Sequence, residues 1–382
     1  MKIILSSKRL NQKKLKEIEI NNNTFIYKDN DIQHLSLSKS LDIMIYGNII
    51  GLKKNLNSSY SDFSNKNLCA ILESKNISKI KDCVEGNYII FLINKDEKSL
   101  VVFTDKFSQS DVYYQKDNNN YQIASDLSLF SDSPSSGGYD QIGLAHILNV
   151  YGFRPAKKHS IYSNIKRLGL REYFIIGSDK VKMVSEEFKP VKIAEYSEKE
   201  LNEYGDIFLD AIRIRSLERD NIVYLSSGWD STSILAGLVH LHGSKNVRGV
   251  IGEMRYSKRA GVINPFEIER AKAVANYYKI KLDVIPFDFT ETIPACLDYL
   301  KENMKNHFIS SGTMLTHGIL AEYVSKKYGK NINVFCGEIS DGVHNFGFSQ
   351  FASIFHPVQD FREYSDKMLN YIYGPAFLKS FH

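Results

Sequence analysis

The sequence predicts an α/β protein in two parts: a β-rich N-terminal domain followed by a doubly wound, parallel α/β domain. Three observations predict it. Short apolar runs parted by turn-forming residues fill the chain to about residue 185. From about residue 201, strand-like runs alternate with longer helical segments, the pattern of a parallel sheet covered on both faces. Between them FKPVKIAEYSEKE (188–200) carries a Pro and a run of charge, so 186–200 is read as a linker between domains 1–185 and 201–382.

The elements follow in order. NYIIFLI (87–93) and LVVFTD (100–105) flank NKDEKS, which reads as a hairpin turn, and YYQ (113–115) and YQIAS (121–125) bracket KDNNN in the same way. SDSPSSGG (131–138) is a loop, IGLAHILNVYG (142–152) has helical spacing closed by Gly, and REYFIIG with KVKMVSEE makes one more hairpin. Ser197 and Glu200 read as a capping box for a helix over 200–218. Beyond it the strands are IVYLSS (222–227), VRGVIG (247–252), KLDVIPF (281–287) and NVFCGE (333–338). The helices are STSILAGLVHLH (231–242), FEIERAKAVANYYK (266–279), CLDYLKENMK (296–305) and MLTHGILAEYVSKKYG (314–329).

At 382 residues the chain is long enough for two domains with cores of their own. A hydrophobic share of 43% with 24% charged residues places it among globular proteins. The net charge of +5, from 49 basic and 44 acidic residues, is spread thinly and argues against a nucleic-acid partner. No stretch approaches the roughly 18 consecutive apolar residues of a membrane span, so a cytoplasmic protein with no membrane partner is expected. Cys69, Cys83, Cys296 and Cys336 form no CxxC pair and are read as reduced thiols.

VYLSSGWDSTS (223–233) carries the chemistry. In a doubly wound sheet, ligands sit beyond the carboxyl ends of the strands, where helix N-termini favour an anion. Ser226, Ser227, Ser231 and Thr232 supply hydroxyls, Gly228 lets a backbone approach closely, and Asp230 is a hard ligand for Mg²⁺. The alternative is a helix N-cap whose Ser and Asp serve capping alone.

The segment resembles the SGGxDS pyrophosphate loop of the ATP-pyrophosphatase (PP-loop) enzymes. Its surroundings are similar to the asparagine synthetase-like family. NPFEIERAKAVANYYKIKLDVIPF (264–287) places Glu267 on that family's Glu, and VFCGEISDG (334–342) is similar to its GEGxDE loop. In the N-terminal half GNYIIFLINKDEKSLVVFTDKFSQSDVYY, QIASDLSLF and LNVYGFRPAKKHSIYSNIKRLGLREYFII follow the family's order. The resemblance runs from about residue 40 to 350.

What the resemblance implies is an Ntn-hydrolase-like αββα domain, of the class II glutamine amidotransferase kind, joined to an adenine nucleotide α-hydrolase-like domain. The implied reaction is adenylation of a substrate carboxylate by ATP, with Mg²⁺, followed by transfer to ammonia or an amine. Leu225, Ser226, Ser227, Gly228, Asp230, Ser231, Ile251 and Gly337 would bind ATP and pyrophosphate. Asp230 and Asp341 would hold Mg²⁺, and Glu338, with Glu267 as the weaker candidate, would orient substrate or take a proton. The carboxylate would belong to a small metabolite, a peptide or a sugar.

Three departures qualify this. Position 2 is Lys and the first Cys is Cys69, so no N-terminal thiol is present for glutamine hydrolysis; this is similar to the family's β-lactam synthetases and lasso-peptide cyclases. Ser227 replaces a Gly, and Trp229 is expected to pack beneath the loop. About 40 residues follow the GEISD loop, where the family has a longer helical region with a catalytic Lys. A truncated C-terminus, or completion by a partner chain or a second copy, is therefore expected, with Lys367 and Lys379 as candidates. An inert or nucleotide-binding subunit is the alternative function. His344, His356, Tyr277 and Tyr278 are read as structural.

Overall fold

The computed structural model describes residues 2–10, 12, 14–54, 58–61, 64–117, 120–130, 137–148, 155, 158–177, 180–187, 197–226, 228–292, 294 and 313–337. The chain divides into two compact units between Ser197 and Glu198.

Among the described residues, the first unit is built on twelve strands: β1 (Ile3–Ser6), β2 (Lys16–Asn21), β3 (Thr24–Lys28), β4 (Gln33–Ser36), β5 (Leu41–Leu52), β6 (Val84–Asn94), β7 (Ser99–Thr104), β8 (Tyr113–Asp117), β9 (Asn120–Ala124), β10 (Lys166–Arg167), β11 (Glu172–Ile176) and β12 (Val181–Ser185). Its helices are α1 (Asn65–Leu72), α2 (Ile77–Cys83) and α3 (Gln141–His146). The expected hairpins form: β6 pairs with β7, β8 with β9 and β11 with β12, each antiparallel. Two six-stranded sheets result, ordered β10-β8-β9-β1-β3-β2 and β12-β11-β7-β6-β5-β4.

Period-two alternation then sorts the strands into layers. Met44, Ile89, Phe91 and Val102 face the other sheet and meet Ile3, Leu5, Ile26 and Ile123. The residues between them, Ile43, Ile45, Tyr88, Ile90 and Leu92, turn outward and are covered by Leu68 and Leu72 of α1 and Ile77 and Ile80 of α2. The outer face of the first sheet, with Ile4, Phe25, Tyr27 and Tyr113, is closed by Leu127, Leu129, Phe130 and Ile165. Among the described residues the first unit is thus two packed sheets with α1 and α2 on one outer face. The other outer face is covered, among the described residues, by the 3-10 turn Leu127–Leu129 and by Phe130 and Ile165.

Asp140 caps α3, accepting the Gly143 N–H at 2.9 Å, and also pairs with Lys166 at 2.9 Å and His159 at 3.0 Å. Burial works to raise its pKa, but the bonds from His159, the Gly143 amide and Lys166 outweigh it and hold the carboxyl at about 2. A carboxylate depressed from 3.8 stabilises the fold above that pH and loses the contribution as pH falls toward 2. The expected size is about 2 kcal/mol. Urea unfolding at pH 5 and pH 2.5 should therefore differ by that much less in the Asp140→Asn variant than in the parent chain.

The second unit opens with α4 (Glu198–Arg213). This helix stops short of the expected Glu218, because 3-10-type bonds from Arg215 N–H to Ile212 and from Ser216 N–H to Arg213 tighten its last turn. A strand–helix alternation follows: β13 (Asn221–Tyr224), α5 (Trp229–His242), β14 (Val247–Arg255), α6 (Pro265–Tyr278), β15 (Lys281–Asp288), α7 (Thr313–Tyr328) and β16 (Asn333–Cys336). The expected helix at 296–305 lies outside the described residues. All four strands are parallel, in the order β15-β14-β13-β16.

Alternate residues again face opposite layers. Val223 and Ile251 pack with Ile212 of α4, Leu235 and Leu238 of α5 and Ile268 and Ala271 of α6. Their neighbours Ile222 and Val250, with Ile285, pack against Leu320 and Val324 of α7. Both faces are covered, which is why these strands read as continuous apolar runs. Among the described residues, no helix is long and apolar enough to cross a membrane.

Candidate functional site

The chain lays β13 first, builds outward to β14 and β15, and then crosses back to place β16 on the other side of β13. The direction of winding therefore reverses between β13 and β16. Beyond the carboxyl ends of strands at such a switch point a crevice opens, because the following connections diverge to opposite faces.

The crevice in this unit is a cavity of about 240 Å³. Its apolar wall is Leu225, Val250, Ile251, Met254, Phe287 and Leu320, and its polar edge is Ser226, Asp230, Asn264, Glu267, Thr316 and His317. Cys336 and Gly337 close it on the β16 side, beside Tyr224 and Gly252.

β13 pairs with β14 on one side and β16 on the other, then ends at Tyr224, after which the Leu225 N–H still reaches Val250 O at 2.9 Å. The chain turns through Ser226 and Gly228 into α5, which begins at Trp229, two residues earlier than expected. Asp230 thus lies in the first turn of a helix, where its charge complements the dipole. Ser231, 1% exposed, braces the turn from behind. Its Oγ accepts the Ser226 N–H at 3.2 Å, lies 3.1 Å from Ser226 Oγ and donates toward Gly228 O at 3.4 Å. Removing that hydroxyl takes a partner from the Ser226 N–H, while Gly228 O keeps the Thr232 N–H at 3.1 Å. Ser231→Ala should lower unfolding free energy by about 0.5–1.5 kcal/mol in urea titration.

Trp229 is 89% exposed, which corrects the expectation that it packs beneath the loop. As the first helical residue it points away from the sheet, and the small hydroxyls fill the space below. It is the single Trp of the chain, so its fluorescence reports on this loop alone.

Two further loops reach the cavity. Asn264 sits before Pro265, the first residue of α6, and its side chain ties the end of β14 down. Its Oδ1 accepts the Met254 N–H at 3.0 Å and its Nδ2 donates to Gly252 O at 2.9 Å. The same Nδ2 lies 3.4 Å from Glu267 Oε2, orienting that carboxylate in the first turn of α6. On the far side β16 delivers Gly337 directly against α5. A Cβ there would lie 2.6 Å from the Ser231 nitrogen and 3.0 Å from Asp230 Cβ, so only Gly permits this approach.

The structure therefore brings Leu225, Ser226, Asp230, Ile251, Glu267 and Gly337 around one cavity, with Gly228 and Ser231 in the loop beside it. Ser227, Glu338 and Asp341 lie outside the described residues, as do His344, His356, Lys367 and Lys379. Sequence reasoning missed Asn264, Phe287, Tyr224 and His317. Asn264 alone had a local signal, as an Asn preceding Pro at a helix start. Tyr224 stacks on His317 with centroids 6.1 Å apart. Burial, with Cys336 beside it, pushes the Tyr224 phenol up to about 12, so it stays a neutral lining group.

Mg²⁺ takes one or two carboxylates and fills its remaining positions with water and substrate phosphates. Asp230, with Glu267 lining the same cavity, meets that requirement. No group of three or more His, Cys, Asp or Glu able to hold a metal unaided occurs among the described residues. The apolar wall suits a purine and the helix N-terminus an anion, so the residues present fit a Mg²⁺-bound nucleotide.

No family model matches the chain, and no curated protein does. Among solved structures it is similar to an NH3-dependent NAD synthetase from Campylobacter jejuni at 17% identity and a TM-score of 0.26, covering 40% of this chain and 62% of that one. It is also similar to a glutamine-dependent NAD+ synthetase from Acinetobacter baumannii, in complex with ADP, at 17% identity and a TM-score of 0.27, covering 51% and 34%. The match thus spans less than two thirds of either. At such scores neither likeness carries an assignment; the strand order and the loop contacts above stand on their own.

Proposed function

We propose that the second unit is an ATP-dependent, amide-forming ligase that adenylates a carboxylate and passes the acyl group to ammonia or an amine. One observation supports it above the rest: the Ser226–Ser231 turn, Glu267 and Gly337 converge from three separate loops on one cavity at the switch point of a parallel sheet.

In this reading the adenine lies against Leu225 and Ile251, and the phosphates lie at the N-terminus of α5 with Ser226, Ser227, Gly228 and Ser231. Asp230 and Asp341 would hold Mg²⁺, which supplies charge neutralisation at the phosphates. A substrate carboxylate oxygen attacks the α-phosphorus, and the bond from that phosphorus to the bridging oxygen breaks, releasing pyrophosphate. The amine nitrogen then bonds to the acyl carbon, the acyl–oxygen bond to AMP breaks, and one proton leaves the nitrogen. Glu338, or Glu267, would accept that proton.

Glutamine hydrolysis is not part of the proposal. Lys2 has its ammonium 2.6 Å from Ser128 Oγ and its backbone N–H bonded to Asp29. The nitrogen then comes from free ammonia or an amine substrate, through this chain or a partner chain.

The test is ATP–pyrophosphate exchange with the full chain and Mg²⁺ against a panel of amino acids, peptides and uronic acids. Carboxylate-dependent exchange supports the ligase. Quenching of Trp229 by Mg·ATP with no exchange for any carboxylate would instead assign a nucleotide-binding subunit.

A further inference from the structure

A second, larger concavity of about 300 Å³ lies at the opposite edge of the parallel sheet, where β13, β14 and β15 begin. Lys245, Arg248, Lys279 and Lys281 line it, and Asp220 is the one carboxylate among its lining residues. Asp283, two residues beyond Lys281 on β15, is engaged by Lys327 at 3.0 Å, by Arg248 at 3.7 Å and by the Tyr328 hydroxyl. Lys245, Lys279 and Lys281 form no ion pair among the described residues.

Part of this basicity has a local reason. α5 ends at His242 and α6 at Tyr278, and cations just beyond a helix C-terminus complement its dipole, which accounts for Lys245 and Lys279. It does not account for the strands. Arg248 of β14 and Lys281 of β15 are direct partners in register, so two like charges project side by side. Asp283 lies 3.7 Å from Arg248 but is shared with Lys327, so Lys281 keeps a like charge beside it and itself forms no ion pair among the described residues.

From this we infer that the amino-terminal edge of the sheet is a binding site for a small multivalent anion of the phosphate or pyrophosphate class. The concavity supplies the cross-strand pair from β14 and β15, with Lys245 and Lys279 on either side and Asn221 and Ser244 as polar lining. It offers charge rather than a stacking face. The Tyr328 ring is already covered by Arg248 at 4.8 Å and Lys327 at 5.3 Å, and its hydroxyl is bonded to Asp283. A compact anion therefore fits better than a nucleobase, and a concavity of this volume fits better with a small ligand than with a nucleic-acid strand. The site is separate from the nucleotide cavity, which lies at the other ends of the same strands.

The test is calorimetric titration of the full chain with inorganic pyrophosphate, then inorganic phosphate, at low ionic strength and in EDTA. The Lys245→Ser/Lys281→Ser double variant should bind pyrophosphate about tenfold more weakly or worse, since each lost contact is a charge-assisted one. A control with the same charge loss on helix faces, Lys199→Ser/Lys272→Ser, should bind within about twofold of the parent. Both doubles alter exposed side chains, and circular dichroism checks that each is folded. Four results would overturn the inference: no heat at millimolar pyrophosphate, equal weakening in the two doubles, displacement of pyrophosphate by ATP, or tighter binding of a single-stranded oligonucleotide than of pyrophosphate.

Discussion

Asp230→Asn is expected to lower ATP–pyrophosphate exchange by about 100- to 1,000-fold, the range for removing one preorganised electrostatic group from a reacting centre. The substitution keeps size and shape and removes only the charge. It sits in the first turn of α5, lining the cavity, so the loss falls on phosphate and Mg²⁺ binding rather than on packing. The thermal midpoint should stay close to that of the parent. Exchange within about threefold of the parent would remove Asp230 from the reaction and with it the proposed phosphate site.

Gly337→Val should be the most damaging single change to the site that does not touch a charged group. The new Cβ would stand 2.6 Å from the Ser231 nitrogen and 3.1 Å from the Asp230 carbonyl carbon. Both are backbone atoms of a helix start and cannot swing aside, so either β16 or α5 must move. Overpacking of this kind costs about 1–3 kcal/mol, and here it also opens the cavity. The expected outcome is a lower unfolding midpoint together with loss of the Trp229 fluorescence response to Mg·ATP. A variant with parental stability and an unchanged nucleotide response would show that the two loops do not need this contact. Gly337→Ala should fall between the two.

Much of this protein was legible in its sequence. VYLSSGWDSTS shows a strand-period run, a turn of small polar residues and a helix-period run, and each is decided by interactions within a few residues. The hairpins β6–β7, β8–β9 and β11–β12 were readable for the same reason, since polar turn residues sit between alternating apolar runs. Element ends were less legible. α4 stops at Arg213 because local 3-10 bonds close it, although residues to 218 could continue a helix. Trp229 was misread because side-chain type says little about which way a first-turn residue points.

The cavity was legible only in part. Asp230, Ser226 and Glu267 sit in recognisable local contexts, a turn after a strand or the first turn of a helix. Tyr224, Phe287 and His317 lie within the quoted segments but at strand or helix positions with no chemical signal; they line the cavity only because their elements pack there. The basic concavity at the other edge was not visible in the sequence either, since its four cations come as two pairs more than thirty residues apart, Lys245 with Arg248 and Lys279 with Lys281.

What the sequence by itself determined is the kind of each element, the alternation of strands and helices, and the small polar turn after β13, because periodicity and turn chemistry are local free energies. What only the tertiary structure decided is that β16, more than a hundred residues downstream, lands beside β13 rather than beside β15. That choice depends on burying both faces of one sheet under α4 to α7, a long-range balance of packing that no short segment encodes. It sets Gly337 against α5 and makes the crevice.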